Sequence, residues 1–176
     1  MLDAIVERGL IRFDEPVTLA SGGLSREFVD GKAALSRGED LENACRAMLD
    51  LVSGIDFEAV GGLTMGADQF AHVMAVLARK EWFVVRKEPK GRGTAKLVEG
   101  ARIDPGARVL VVDDVITTGG SILRACEAVE ALGATVAGAL SLVDRGEKAR
   151  VAFEERGIPY LPLLTYRDLG IRPVEL

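Results

Sequence analysis

The 176-residue chain has only two cysteines and one histidine, which leaves little from which to build a metal cage or a disulfide framework. Cys45 and Cys126 each fall on an apolar helical stripe with no His or second Cys at ligand spacing, so both are expected to be buried free thiols. His72, between Ala71 and Val73 in a helical stretch, is expected to pack and to carry no chemistry. No apolar run approaches the roughly 20 residues of a bilayer span, so a soluble protein without a membrane partner is expected. The start, Met1 to Arg8, lacks the basic-then-apolar order of a secretory signal, and its acidic residues do not suit a transit sequence; the expected compartment is the cytoplasm. Neither G-x-x-x-x-G-K-[ST] nor G-x-G-x-x-G occurs, which argues against nucleoside triphosphates and dinucleotides as ligands. The net charge of −5 gives no reason to expect a nucleic-acid partner.

Charge is present where it is concentrated. Residues 86–96 contain Arg86, Lys87, Lys90, Arg92 and Lys96 against the single acid Glu88, a local anion site within an acidic protein. The length suits one domain over residues 1–176, and no internal repeat, low-complexity tract or linker divides it. Apolar spacing predicts helices over 2–10, 40–52, 67–80, 121–132 and near 148–156, with Gly133 as a C-terminal cap. Strands are predicted at 58–63, 82–85, 108–112, 135–143 and near 160–164, and residues 16–32 read as extended chain turning at Gly22-Gly23. Residues 87–106 form a long Gly- and Pro-punctuated interruption, read as a functional loop. The alternation predicts an α/β fold, a mainly parallel sheet flanked by helices. A small hood is expected from about residues 1–35, with C-terminal residues as a further contributor.

Ligands of such sheets bind at the carboxyl ends of the strands. There the chain reads Val109-Leu110-Val111-Val112, then Asp113-Asp114-Val115-Ile116-Thr117-Thr118-Gly119-Gly120-Ser121. Gly119 and Gly120 let backbone N–H groups close on an anion, Thr117, Thr118 and Ser121 add hydroxyls, and the following helix start supplies positive partial charge. Two carboxylates would repel a phosphate held against them, but a short distance away they accept hydrogen bonds from sugar hydroxyls. The combination suits a ribose 5-phosphate.

This string resembles the signature of type I phosphoribosyltransferases. The resemblance implies a type I phosphoribosyltransferase-like fold, ribose hydroxyls and the water shell of Mg²⁺ at Asp113 and Asp114, and the 5-phosphate at Thr117 to Ser121, with Val115 and Ile116 in the same substrate loop. No direct protein ligand to Mg²⁺ is implied.

The basic run Arg86-Lys87-Glu88-Pro89-Lys90-Gly91-Arg92-Gly93 is similar to the catalytic lid of orotate phosphoribosyltransferases. By that resemblance Arg86, Lys87, Lys90 and Arg92 bind pyrophosphate, with Lys87 and Lys90 catalytic, and the lid of one subunit serves the neighbouring site of a homodimer. The family usually has His at the place of Arg92, and a guanidinium cannot share a proton near neutral pH. In Val143-Asp144-Arg145, the Asp-Arg pair corresponds to the family's orotate contact, which assigns Arg145 to the base. Gly61 to Asp68 resembles the pyrophosphate loop, with Met65 where some members have Lys. Thr18 to Asp30 resembles the segment against the base, where Phe28 would pack on the pyrimidine. Ala20 stands there for a common Lys, Arg26 for a Pro, and Lys32 is a candidate to restore the charge.

The implied reaction joins orotate and phosphoribosyl diphosphate to give orotidine 5-phosphate and pyrophosphate, a step of pyrimidine biosynthesis. A phosphoribosyltransferase for another base, and a noncatalytic sensor of phosphoribosyl diphosphate, are the alternatives. Retention of Arg86, Lys87 and Lys90 favours catalysis.

Overall fold

A computed structural model describes residues 1–19, 22–89 and 96–174. Six strands form the main sheet in the order β5-β4-β3-β6-β7-β8, where β3 is Ala59–Leu63, β4 Glu81–Val85, β5 Val98–Gly100, β6 Arg108–Ile116, β7 Thr135–Asp144 and β8 Tyr160–Thr165. All neighbours are parallel except β5, which runs antiparallel to β4 at the edge. That edge strand lies inside the stretch read from sequence as loop, because three residues are too few for a periodic signal.

Helices cover both faces: α3 (Gly38–Leu51) and α4 (Asp68–Ala78) on one side, α5 (Gly120–Glu130) and α6 (Lys148–Glu155) on the other. Alternation along β6 feeds both layers. Leu110 and Val112 pack with Met48, Phe70 and Met74, while Val109 and Val111 pack with Ile122, Cys126 and Phe153. Both cysteines are buried free thiols, and burial pushes each thiol pKa up to about 12.

The N-terminal segment differs in detail from its helical spacing. A single turn α1 (Leu2–Ala4) passes into a π-helical turn at Ile5–Gly9, and the chain then forms the antiparallel hairpin β1 (Leu10–Thr18) and β2 (Leu24–Val29). A short helix α2 (Gly31–Ala34), capped by the Asp30 carboxylate accepting from the N–H groups of Lys32 and Ala33, ties the hairpin back to β6. This hairpin is the hood. At the other end of the chain, Leu169 and Ile171 join the core and the Val174 N–H donates to the Arg145 carbonyl oxygen at 2.8 Å.

His72 packs, as its setting suggests, but at the surface: its ring meets Trp82 edge-on with centroids 4.5 Å apart. Among the described residues, no helix is long and apolar enough to cross a membrane.

Two substitutions on α4 test this layering. Phe70 is wholly buried and Val76 is exposed on the same helix. Phe70→Ala is expected to cost about 3–5 kcal/mol and Val76→Ala less than about 0.5 kcal/mol, measured by urea unfolding; similar losses at both sites would contradict the assigned faces.

Candidate active site

Strand order reverses between β3 and β6. The chain goes from β3 through α4 outward to β4, and from β6 through α5 to β7 on the opposite side, so the crevice at their carboxyl ends is the natural ligand site. Both acids lie there. Sequence pattern ended the strand at Val112, because paired aspartates disfavour extended structure. The ladder to β7 overrides that preference and continues through Asp113↔Ser141, Val115↔Val143 and Ile116↔Asp144.

Because the acids are consecutive in a strand, they face opposite sides of the sheet. Asp113 lines a cavity of about 330 Å³ on the α5 side. Asp114 lines a second cavity of about 180 Å³ beneath the hood. Each carboxylate also bends back to accept the next backbone N–H: Asp114 N donates to Asp113 Oδ1 at 2.9 Å, and Val115 N to Asp114 Oδ1 at 2.7 Å. Gly66 closes the third side. A Cβ there would sit 2.5 Å from Asp113 Oδ1 and 2.7 Å from Asp114 Oδ1, so only glycine lets the β3–α4 turn approach the pair.

Burial separates the two acids electrostatically. Asp113 is 4% exposed; desolvation, then the charge of Asp114, raise its pKa well above the carboxylate range. Asp114 is held differently: Lys32 Nζ sits 3.0 Å from its Oδ2. At Lys32, burial works against the charge, but the hydrogen bond and charge of Asp114, with Asp30 and Asp113, outweigh it and raise the pKa.

The residues read from sequence as an anion cradle line the larger cavity. Val115, Ile116, Thr117, Thr118, Gly119, Gly120 and Ser121 line it with Asp113. Gly119 adopts φ 83° at the start of α5, a conformation open to glycine at little cost, and Thr118 Oγ1 accepts the Gly120 N–H at 3.3 Å. Arg124 also lines the cradle, and sequence reasoning missed it. Helical side chains lean toward the N-terminus, so a residue one turn into α5 reaches back over its start. Its Nη2 donates to the Lys87 carbonyl oxygen at 2.9 Å, linking the cradle helix to the foot of the basic loop.

The smaller cavity is lined by Leu19, Phe28, Val29, Lys32, Asp114, Val115, Thr117 and Arg145. Phe28 is 41% exposed on β2, its ring outside the core and available to a ligand. Arg145 is only 1% exposed. Its Nη1 donates to the Glu27 carbonyl oxygen at 2.8 Å and its Nη2 to Ser25 Oγ at 3.1 Å, both on the hood, while its buried Nε has no partner. Among the described residues no carboxylate forms an ion pair with it, and desolvation lowers its pKa. A buried cation of this kind is complementary to an anionic ligand.

The remaining sequence candidates are apart from these cavities or outside the described residues. Arg86 and Lys87 lie at the foot of the loop and line neither cavity; Arg86 Nε donates to the Glu88 carbonyl oxygen at 3.3 Å. Lys90, Arg92 and Ala20 lie outside the described residues. Arg26 lines neither cavity and pairs with Glu15 at 3.5 Å, and Met65 is exposed on the turn that carries Gly66. Among the described residues no group of three or more His, Cys, Asp or Glu side chains could hold a metal ion directly.

Comparison with known proteins agrees with this geometry. The family model of the phosphoribosyl transferase domain matches residues 50–153, from the end of α3 to α6. The orotate phosphoribosyltransferase of Aquifex aeolicus is 42% identical over 171 residues, covering 94% of this chain and 93% of its own. That of Streptomyces avermitilis is 44% identical over 161 residues, 88% of each chain. Among solved structures, the Mycobacterium tuberculosis H37Rv orotate phosphoribosyltransferase in complex with phosphoribosyl diphosphate superposes with a TM-score of 0.78 at 34% identity, covering 97% of this chain and 96% of that one. Matched over nearly its whole length by these relatives, the chain belongs to the phosphoribosyl transferase domain family and, within it, to the orotate phosphoribosyltransferases.

Proposed function

We propose that the protein transfers the 5-phosphoribosyl group of phosphoribosyl diphosphate to a ring nitrogen of orotate, releasing pyrophosphate and forming orotidine 5-phosphate. The observation that carries the choice of base is Arg145, a buried cation with an unused Nε on the cavity that also holds Phe28 and Asp114. A planar ring bearing a carboxylate matches an arginine fork and an exposed aromatic face. Arg26, whose departure from the family pattern bore on base choice, does not line that cavity.

In this reading the cradle of Thr117 to Ser121 holds the 5-phosphate, with Arg124 as its cation. Asp113 and Asp114 accept hydrogen bonds from the ribose hydroxyls. The bond from the sugar C1 to pyrophosphate breaks with its electron pair leaving on the pyrophosphate, the bond from C1 to the base nitrogen forms, and the nitrogen releases its proton. The sugar carbon develops positive charge in passing, so the protein contributes positioning and charge stabilisation, with no nucleophile of its own.

Arg86, Lys87, Lys90 and Arg92 of the loop stabilise the departing pyrophosphate. Asp113 and Asp114 would hold Mg²⁺ through its water shell, and the ion would supply charge neutralisation to the substrate. Two carboxylates, one buried and one tied to Lys32, fit a water-mediated part in holding it better than direct ligation. The reading includes a cytoplasmic homodimer whose loops serve neighbouring sites. It is supported by the likeness of the basic run from Arg86 to Gly93 to the family's lid.

Pyrophosphate release from phosphoribosyl diphosphate and Mg²⁺ with a panel of bases tests the whole reading. Release with orotate is expected. Release only with another base would reassign the substrate, and binding without release would make the protein a sensor.

Substitutions at three positions test the parts. Arg145→Gln is expected to raise the KM for orotate by about tenfold to a hundredfold with a smaller effect on that for phosphoribosyl diphosphate; the reverse pattern would remove Arg145 from the base site. Arg124→Ala is expected to raise the KM for phosphoribosyl diphosphate by about tenfold, and Arg124→Lys to recover part of it. Asp113→Asn is expected to lower turnover while stabilising the free protein. A carboxyl whose folded pKa is raised contributes stability below its unfolded value and loses it as pH rises through the folded value. The variant should therefore be more stable than wild type by about 1–3 kcal/mol at mildly alkaline pH, a gap that closes toward the ordinary aspartate pKa of about 3.9. Parallel stability-versus-pH curves would refute the assignment of a raised pKa to Asp113.

A further inference from the structure

Lys32 has no part in the reaction described above, yet it is the cation that touches the acid pair. Its placement is built into the fold. The Asp30 cap fixes the first turn of α2, and the helix is pressed onto β6 at Gly31, where a Cβ would lie 3.3 Å from the Asp114 Cβ and 3.5 Å from Val115 Cγ2. This contact brings the next residue over the carboxylate, with Nζ 3.0 Å from Asp114 Oδ2. The same side chain lines the small cavity, where Arg145 and the Phe28 ring are its co-lining residues.

The ion pair occupies an oxygen that the proposed function gives to the ribose. Asp114 Oδ1 already accepts the Val115 N–H, and Oδ2 holds the ammonium, so a ribose hydroxyl must share or displace one of them. Displacing Lys32 is the easier course. Its side chain is 53% exposed on a flexible four-carbon stem, whereas the Val115 amide is fixed in the strand. The charged groups around it are Asp114, Asp30 and Asp113, all acidic, and Arg145 lines the same small cavity. An anionic ring entering between two cations gives the released ammonium an immediate partner.

We propose that Lys32 is a base-positioning residue: held on Asp114 in the free site, its ammonium passes to the oxygen atoms of the bound base when the ribose hydroxyls take over the carboxylate. The inference rests on the proposed function and adds a second cationic contact to Arg145. It favours planar heterocycles with oxygen substituents on the edge away from the Arg145 contact, and it disfavours bases that lack them.

Steady-state kinetics of Lys32→Met and Lys32→Arg test it, read on whichever base supports pyrophosphate release by the wild type. Lys32→Met keeps the stem and removes the charge, so the KM for the base is expected to rise by about tenfold to a hundredfold. The KM for phosphoribosyl diphosphate should stay within about twofold, a difference worth less than an ordinary hydrogen bond, and Lys32→Arg should restore most of the loss. An unchanged KM for the base, or a loss confined to phosphoribosyl diphosphate, overturns the inference, the second by making Lys32 a ribose-side residue only. Thermal unfolding of each variant separates a folding defect from these outcomes, and Lys32→Gln replaces Lys32→Met if the latter does not fold. If the wild type releases pyrophosphate with none of the bases, the proposed function fails by itself, and calorimetric titration of orotate into wild type and Lys32→Met, each saturated with phosphoribosyl diphosphate, decides the inference: equal affinities overturn it.

Discussion

Two adjacent carboxylates at the end of a buried strand are the constraint around which this structure is arranged. A strand must send consecutive side chains to opposite faces, and a low-dielectric interior resists two like charges held close together. The structure answers by giving the acids unequal surroundings. Asp113 is enclosed on the α5 side with its pKa raised, and Asp114 stays on the hood side against Lys32. Gly66 completes the arrangement by bringing the β3–α4 turn within reach of both.

That division separates two cavities. On one side of β6 the chain turns through Thr117 to Ser121 into α5, and these residues line one cavity together with Arg124. On the other side the hood lowers Phe28 toward the sheet, and Arg145 reaches up from the end of β7 to hold the hood by Ser25 and Glu27. Arg145 thus joins the hood to the smaller cavity while keeping one donor unused. Leaving a cation buried without a carboxylate partner is costly to the free protein, and the cost is consistent with a site made for a negatively charged ligand. The sheet supplies rigidity and the hood supplies the enclosure.

The layered α/β architecture was legible because its signals are local. Apolar alternation at Val109–Val112 and helical spacing in α3, α4 and α5 need only neighbouring residues, and the observed elements agree with them to within a few positions. The residues that line the larger cavity were legible for the same reason, since Thr117 to Ser121 is a contiguous run. The hairpin was foreshadowed by its glycine turn, but not the π-helical entry at Ile5–Gly9, whose apolar spacing resembles an ordinary helix. The short edge strand β5 was hidden among charges and glycines.

The order of elements, the acid pair, the glycine turn after it and the basic run before it are readable without a fold, because each is a pattern in contiguous residues. Tertiary structure alone decided what those residues became. Lys32 and Asp114 are 82 residues apart, and Arg145 and Glu27 are 118 apart. No period in the chain reports such contacts; they exist because the hood folds back over the carboxyl ends of β6 and β7. Nor could spacing show that Arg124 would lean into the cradle or that Arg145 would be buried, since both depend on which helix or hairpin covers them. The two aspartates that opened as equivalent letters ended as different groups, one enclosed and one paired, because a strand gives its neighbours opposite faces and the fold puts different chemistry on each.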